Sequence, residues 1–196
     1  MQFDYWRHRL RARLFEWLRR PDAALEEYRR LLAIAPRDPC VLNVLGYHHA
    51  QARNWSDALD AFEAALELDA ANADAWFNTG YVREQLADRV GAIAAFRKAI
   101  ELAPAHDRAW YGLGMAYAGE GRHAEAVEAL AEAARLQPMN AVAWYALGMA
   151  HHAARNAEPF TEVVRHLHRF DPVMTRRLIQ DSGRSDLAHL VSDLRV

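Results

Sequence analysis

Apolar residues return every three to four positions along most of this chain, and the pattern itself returns every 34 residues. Within 107–140, Trp110, Leu113, Gly114 and Tyr117 share one face at about 100° per residue, and Ala126, Leu130 and Ala133 mark a second apolar face further on. Each unit therefore predicts two antiparallel helices, A and B. The units run 5–38, 39–72, 73–106, 107–140 and 141–174. Trp76, Trp110 and Trp144 keep the interval, as do Gly46, Gly80, Gly114 and Gly148. So do Ala58, Ala92 and Ala126, then Pro104, Pro138 and Pro172, and the pair Phe62 and Phe96. The prolines fall just past helix B, where a helix must stop. Asp38, Asn72 and Asn140 stand where helix A needs an N-cap, and Asp22 and Ser56 do the same for helix B. Gly114 costs its helix roughly 1 kcal/mol against Ala. That cost is explained if the small residue of helix B, Ala126, approaches closely there.

Trp, then Leu-Gly, an aromatic, Ala, an aromatic and Pro at this spacing resembles the tetratricopeptide repeat, over about 170 residues. The resemblance implies an all-α fold, a right-handed solenoid of antiparallel helix pairs with helix A on its concave side. It speaks for fold and not for function. Three well-matched repeats fill 39–140. Residues 1–38 read as an N-terminal amphipathic helix and degenerate repeat: Ala24, Tyr28, Leu31 and Pro36 are kept, but His8 and Arg11 replace Trp and Leu. The fifth repeat, 141–174, is degenerate because Phe160 takes the small-residue position of helix B after Pro159. Its ring is expected to push that helix away from helix A. Residues 175–196 read as two short capping helices broken at Ser182-Gly183, with Ser185 capping the second. They cover the open end of the last repeat.

Positions 2, 5, 9 and 12 of helix A lie opposite its core face, yet they are not uniformly polar. Position 9 runs Arg13, Tyr47, Tyr81, Met115, Met149, and position 5 runs Arg9, Asn43, Phe77, Tyr111, Tyr145. Apolar side chains away from the core point to a ligand surface. The expected peptide-binding groove is Asn43, Tyr47, Phe77, Asn78, Tyr81, Arg108, Tyr111, Met115, Tyr145 and Met149, with Phe77, Tyr111 and Tyr145 also suited to packing on the neighbouring helix A. Asn43 and Asn78 can pair with an extended backbone. The two-carboxylate clamp of chaperone-binding repeats is not expected: its sequence positions hold Asn43, Tyr47, Asn78, Arg108 and Gly112, of which only Asn78 and the charge of Arg108 fit.

Composition changes this picture little. The chain has 196 residues, a net charge of −2, one cysteine and 39 alanines. Bulk attraction to nucleic acid is not expected, an internal disulfide is impossible, and a cytoplasmic location follows from the lack of a membrane span or signal segment. Charge is uneven: residues 1–38 hold nine Arg against six acids, and 39–140 hold eight basic against fourteen acidic residues. Phe3, Trp6, Leu10, Leu14 and Trp17 form a helical stripe among Arg7, Arg9, Arg11, Arg13, Arg19 and Arg20. Such a helix can cap the second repeat, pair with a second copy as a homodimer through residues 3–18, or meet an acidic partner or an anionic membrane.

No chemistry is expected. Cys40 and His48 sit about 12 Å apart along one helix, too far for a nucleophile and its base. The ten histidines have no chelating spacing. The glycines of GLGMAYAGEG lie within and at the end of a helix, unlike a phosphate loop. The expectation is a non-enzymatic adaptor that binds protein or peptide, without cofactor, nucleic acid or integral membrane contact. The alternatives are a self-associating scaffold, or a module recruiting substrate to an enzyme on another chain.

Overall fold

A computed structural model describes residues 2–191, which fall into two compact units divided after Leu102. All regular elements among the described residues are helical. The first unit contains α1 (Gln2–Trp17), α2 (Pro21–Ile34), α3 (Pro39–Gln51), α4 (Trp55–Leu68), α5 (Ala73–Gln85) and α6 (Arg89–Leu102). The second contains α7 (Asp107–Gly119), α8 (His123–Leu136), α9 (Ala141–Ala153), α10 (Ala157–His168), α11 (Pro172–Asp181) and a 3-10 helix over Ser185–Val191. The last part of the expected C-terminal cap, 192–196, lies outside the described residues.

One backbone device closes every hairpin. The second residue after helix A is left-handed in each repeat: Arg19, Arg53, Ala87, Gly121 and Arg155, each 34 from the next, with φ between 54° and 74°. After α5, Ala87 N–H donates to the Glu84 carbonyl (3.0 Å) and Asp88 N–H to the Arg83 carbonyl (2.9 Å). This is the Schellman pattern, which satisfies the last carbonyls of a helix. The same two bonds recur at 19–20, 53–54, 121–122 and 155–156. This turn delivers the chain into α2 and α4 two residues earlier than the sequence suggests, with Arg20 and Asn54 at the N-cap positions. Asp22 and Ser56 consequently sit inside the first turns of α2 and α4 and are not caps, a correction to the sequence reading. Helix A is capped as expected by Asp38, Asn72 and Asn140, and α7 is capped by the His106 ring.

The tryptophans make the same bond in the third, fourth and fifth repeats. The Nε1–H groups of Trp76, Trp110 and Trp144 each donate over 2.9 Å to the carbonyl six residues upstream, on Ala70, Pro104 and Pro138. The glycine column has a different cause from the one expected. A Cβ on Gly46 or Gly80 would meet the rings of Phe62 or Phe96 at 2.7–2.8 Å, and on Gly114 it would meet Leu130 Cγ at 2.5 Å. The close neighbour is therefore the large residue of helix B four positions beyond the alanine, not Ala126. In the fifth repeat Leu178 of α11 takes that place, 2.7 Å from a Cβ on Gly148. Phe160 is fully buried, and α9 packs against both α10 and α11.

The first repeat replaces apolar packing by charge. His8 Nδ1 lies 2.5 Å from Glu27 Oε2, and Arg11 and Arg30 reach Glu27 Oε1 at 3.2 and 3.1 Å. Glu27 and His8 are both buried. A buried carboxylate is tolerable only with such a full complement of donors. Around it Ala12, Ala24, Tyr28, Leu31, Val41 and Leu45 form one core, with Tyr5 and Phe15 against it. The inward face of α1 is thus Tyr5, His8, Ala12 and Phe15. The apolar stripe seen in the sequence does not cap the second repeat: Phe3, Trp6, Leu10, Leu14 and Trp17 all face solvent.

Candidate functional site

The A helices of the first unit carry one half of the expected groove. Tyr47 on α3 and Tyr81 on α5, at the same position of consecutive repeats, are 52% and 46% exposed. Each ring is steadied at its edge. Tyr47 Oη accepts from Gln51 Nε2 (2.8 Å), and the Tyr81 ring meets Trp55 edge-on at 6.2 Å. Asn78 donates from Nδ2 to Asn43 Oδ1 over 3.4 Å, bridging α3 and α5. Phe77 is half-buried, its ring 6.0 Å from that of Phe96, so it serves the hairpin's own packing.

The A helices of the second unit carry the other residues. Met115 on α7 is 44% exposed and Met149 on α9 is half-buried. Arg108 and Tyr111 line a cleft of about 110 Å³ with Ala133, Asn140 and Val142. Burial pushes the Tyr111 hydroxyl above its ordinary pKa. Tyr145 is committed to the C-terminal helix: its hydroxyl donates to Asp181 Oδ2 over 2.6 Å and the Arg177 guanidinium lies 5.5 Å from its ring centre. The bond to Asp181 raises the Tyr145 pKa, with burial adding to it.

A further cleft in the first unit was missed in the sequence. It holds about 220 Å³ and is lined by Tyr5, Arg9, Arg13, Glu16, Tyr28, Leu31, Cys40, Val41 and Val44. Arg9 and Arg13 stand at positions 5 and 9 of the first repeat, the columns that hold the expected groove residues elsewhere. The signal was present, but the poor match of α1 to its repeat obscured it. Arg9 is held by the Tyr5 hydroxyl (3.3 Å) and stacks over Tyr5 and Trp6. The Tyr5 hydroxyl donates in turn to Asp38 Oδ2 (2.5 Å), which raises its pKa. Tyr28 Oη donates to Glu16 Oε1 (3.0 Å), and burial drives the Tyr28 pKa well up. Each hydroxyl in the wall is spoken for, while Cys40 is exposed. Among the described residues no group of three His, Cys, Asp or Glu could hold a metal ion. Nor is any described helix long and apolar enough to cross a membrane.

A sequence model of the tetratricopeptide repeat matches residues 43–106, 85–141 and 111–158. The chain belongs to the tetratricopeptide-repeat family. Its fold is the all-α solenoid of helix pairs found in that family. The MamA protein is similar over 100% of this chain and 99% of its own, with a TM-score of 0.74 and 20% identity. YrrB, described as a tetratricopeptide-repeat protein with an unusual peptide-binding site, is similar over 88% of both chains, with a TM-score of 0.74 and 24% identity. At these identities the likeness carries the fold alone. In sequence, the RNA polymerase-associated protein CTR9 of Caenorhabditis elegans is 36% identical over 67 residues, 33% of this chain. The matched stretch spans only 6% of that relative.

Proposed function

We propose that this chain is a protein-interaction adaptor whose A-helix faces grip an apolar segment of a partner protein. The observation that carries this reading is the exposure of Tyr47 and Tyr81 at one position of consecutive repeats, beside the bridging pair Asn43–Asn78. Tyrosine offers a large amphipathic surface with few rotors to freeze, and such residues dominate binding energy at interfaces. The amide pair uses one donor of Asn78 and one acceptor of Asn43, leaving the Asn43 amide donors and the Asn78 carbonyl for a peptide backbone. Arg9 and Arg13 in the neighbouring cleft suit a carboxylate of the bound segment. In the second unit Met115 and Met149 add a surface that repacks around varied side chains. A peptide-binding site in YrrB, a protein of similar fold, supports the reading.

The test is selection of a displayed random-peptide library on the full chain, followed by affinity measurement on the selected peptide. Tyr47→Ala/Tyr81→Ala should stay folded, since neither ring belongs to the core, and weaken binding by more than about 1 kcal/mol. Equal affinity in this variant, with loss instead in the helix B surface variant Asp60→Arg/Glu67→Arg, would overturn the groove. So would a library that yields no binder.

A further inference from the structure

The outer face of α1, with Leu18 just past its end, presents Phe3, Trp6, Leu10, Leu14, Trp17 and Leu18 to solvent, at exposures from 47% to 78%. On a helical projection these six fall within about a third of the circumference, opposite Tyr5, His8 and Ala12, which pack inward. An apolar stripe of this size on one helix marks an interaction surface.

The repeat register says what kind of surface it is. Leu10 holds position 6 and Leu14 position 10 of the first repeat. In the second repeat position 6 is Val44, which packs on the core built by α1 and α2. In the third repeat position 10 is Val82, fully buried against Ala58 and Phe62 of α4. These are the positions through which a helix A rests on the helix pair before it. In α1 they have the same apolar character, and no described helix covers them. Arg7 stands at position 3, where Val41 and Ala75 are buried in the next two repeats. It reaches Asp4 at 3.2 Å while remaining about half exposed.

Charge selects the occupant. The stripe is flanked by Arg7 and Arg11 on one side and Arg9 and Arg13 on the other. Two copies of α1 packed antiparallel about Leu10 would set Arg7 near Arg11 of the second copy on one flank and Arg9 near Arg13 on the other, and like charges across an interface oppose association. A helix with acids beside an apolar seam matches on both counts. The chain's own α4 has this make-up: it buries Ala58, Phe62 and Ala65 and carries Asp57, Asp60, Glu63 and Glu67. We infer that the outer face of α1 docks an amphipathic helix of a partner protein, apolar along its seam and acidic on its flanks, stacked as the helix pair before the first repeat would be. This surface is additional to the A-helix groove and stands whether or not the groove reading holds.

The probe is a synthetic helical peptide about 18 residues long, which is enough to hold helix, with a Leu/Ala seam flanked by Glu. A twin carries Lys for each Glu. Anisotropy titration of the full chain should show the Glu peptide binding at least about tenfold tighter than the twin. Leu10→Asp/Leu14→Asp, whose side chains are exposed, should melt as wild type does and lose at least about tenfold in affinity for the Glu peptide. Light scattering should give a monomer, and vesicles containing phosphatidylserine should not sediment the chain. Absent or equal binding of the two peptides overturns the inference, as does unchanged affinity in the Leu10/Leu14 variant. A dimer that this variant dissolves would transfer the face to a second copy. Sedimentation with anionic vesicles without peptide binding would transfer it to lipid.

Discussion

Ala87→Gly should stabilise the protein, against the usual rule for alanine and glycine. Ala87, two residues past the end of α5, sits at φ 62° and its side chain is exposed. An L residue pays roughly 1–2 kcal/mol to sit in the left-handed region, and glycine pays nothing there. Against this, glycine gives the unfolded chain more freedom, worth about 0.4–1 kcal/mol. The exposed methyl contributes little burial. The two hydrogen bonds that close the turn, Ala87 N–H to the Glu84 carbonyl and Asp88 N–H to the Arg83 carbonyl, use backbone atoms and survive the change. The net gain is about 0.5–1 kcal/mol. The control is Ala94→Gly, an exposed interior position of α6 in the same unit, which should lose about 1 kcal/mol. Urea unfolding followed by far-ultraviolet circular dichroism, compared at a common slope, reads both changes. If the two substitutions destabilise alike, the left-handed turn is not where the energy lies and the account of hairpin closure is wrong.

Gly114→Ala should cost about 1–3 kcal/mol through overpacking on Leu130, less the roughly 1 kcal/mol that alanine returns in helix propensity, by the same urea assay. Pairing it with Leu130→Ala should cost less than the sum of the singles, and additive costs would remove the steric reason for the glycine. Glu27→Ala strips the carboxylate from buried His8 and from Arg11 and Arg30, with an expected loss of about 3–5 kcal/mol in thermal or urea unfolding. A loss below about 1 kcal/mol would mean that water replaces the network at no penalty. His48 is held below its ordinary pKa of 6.5 by burial, partly offset by Glu16. The unfolded chain therefore binds the proton first, so this contribution is full above pH 6.5 and is lost as pH falls below it. His48→Gln should flatten the stability profile between about pH 7 and 5, and an unchanged slope would refute the assignment.

The parts of the fold visible in the sequence were those with a side chain to mark them. Tryptophans 34 apart marked helix A, small residues marked helix B, and Asp38, Asn72 and Asn140 marked the starts of three helices. The turn between the helices left no such mark. It is held by main-chain hydrogen bonds, and its special conformation falls on Arg19, Arg53, Ala87 and Arg155 as well as Gly121. Only the last of these is a residue that announces a left-handed turn. Placing caps at Asp22 and Ser56 was the direct consequence. The glycine column was read correctly as a close approach, but the approaching group cannot be chosen from spacing alone. Ala126 and Leu130 lie one turn apart on the same face of helix B, and only the structure shows which one reaches Gly114. For the candidate site, position 9 was legible because Tyr47, Tyr81 and Met115 are out of place on a solvent face. What each ring touches, such as Asp181 on Tyr145, depends on helices far along the chain.

The N-terminal helix shows the limit of periodicity most clearly. Its strongest apolar stripe, Phe3 to Trp17, carries the helical signal in the sequence, yet the folded helix turns His8 and Ala12 inward instead. Hydrophobic burial favours the stripe, but the repeat register fixes where Glu27 must find its donors. Glu27 is buried, and of its three donors His8 and Arg11 come from α1. Rotating α1 to bury the stripe would carry His8 and Arg11 away from Glu27 and leave the buried carboxylate with Arg30 of its own helix, so the ion network opposes that rotation. The apolar stripe is then left on the outer face, at the repeat positions that elsewhere rest on a preceding helix pair. A residue pattern that looks like a core signal in the sequence becomes, once the charges are placed, a surface made for another helix.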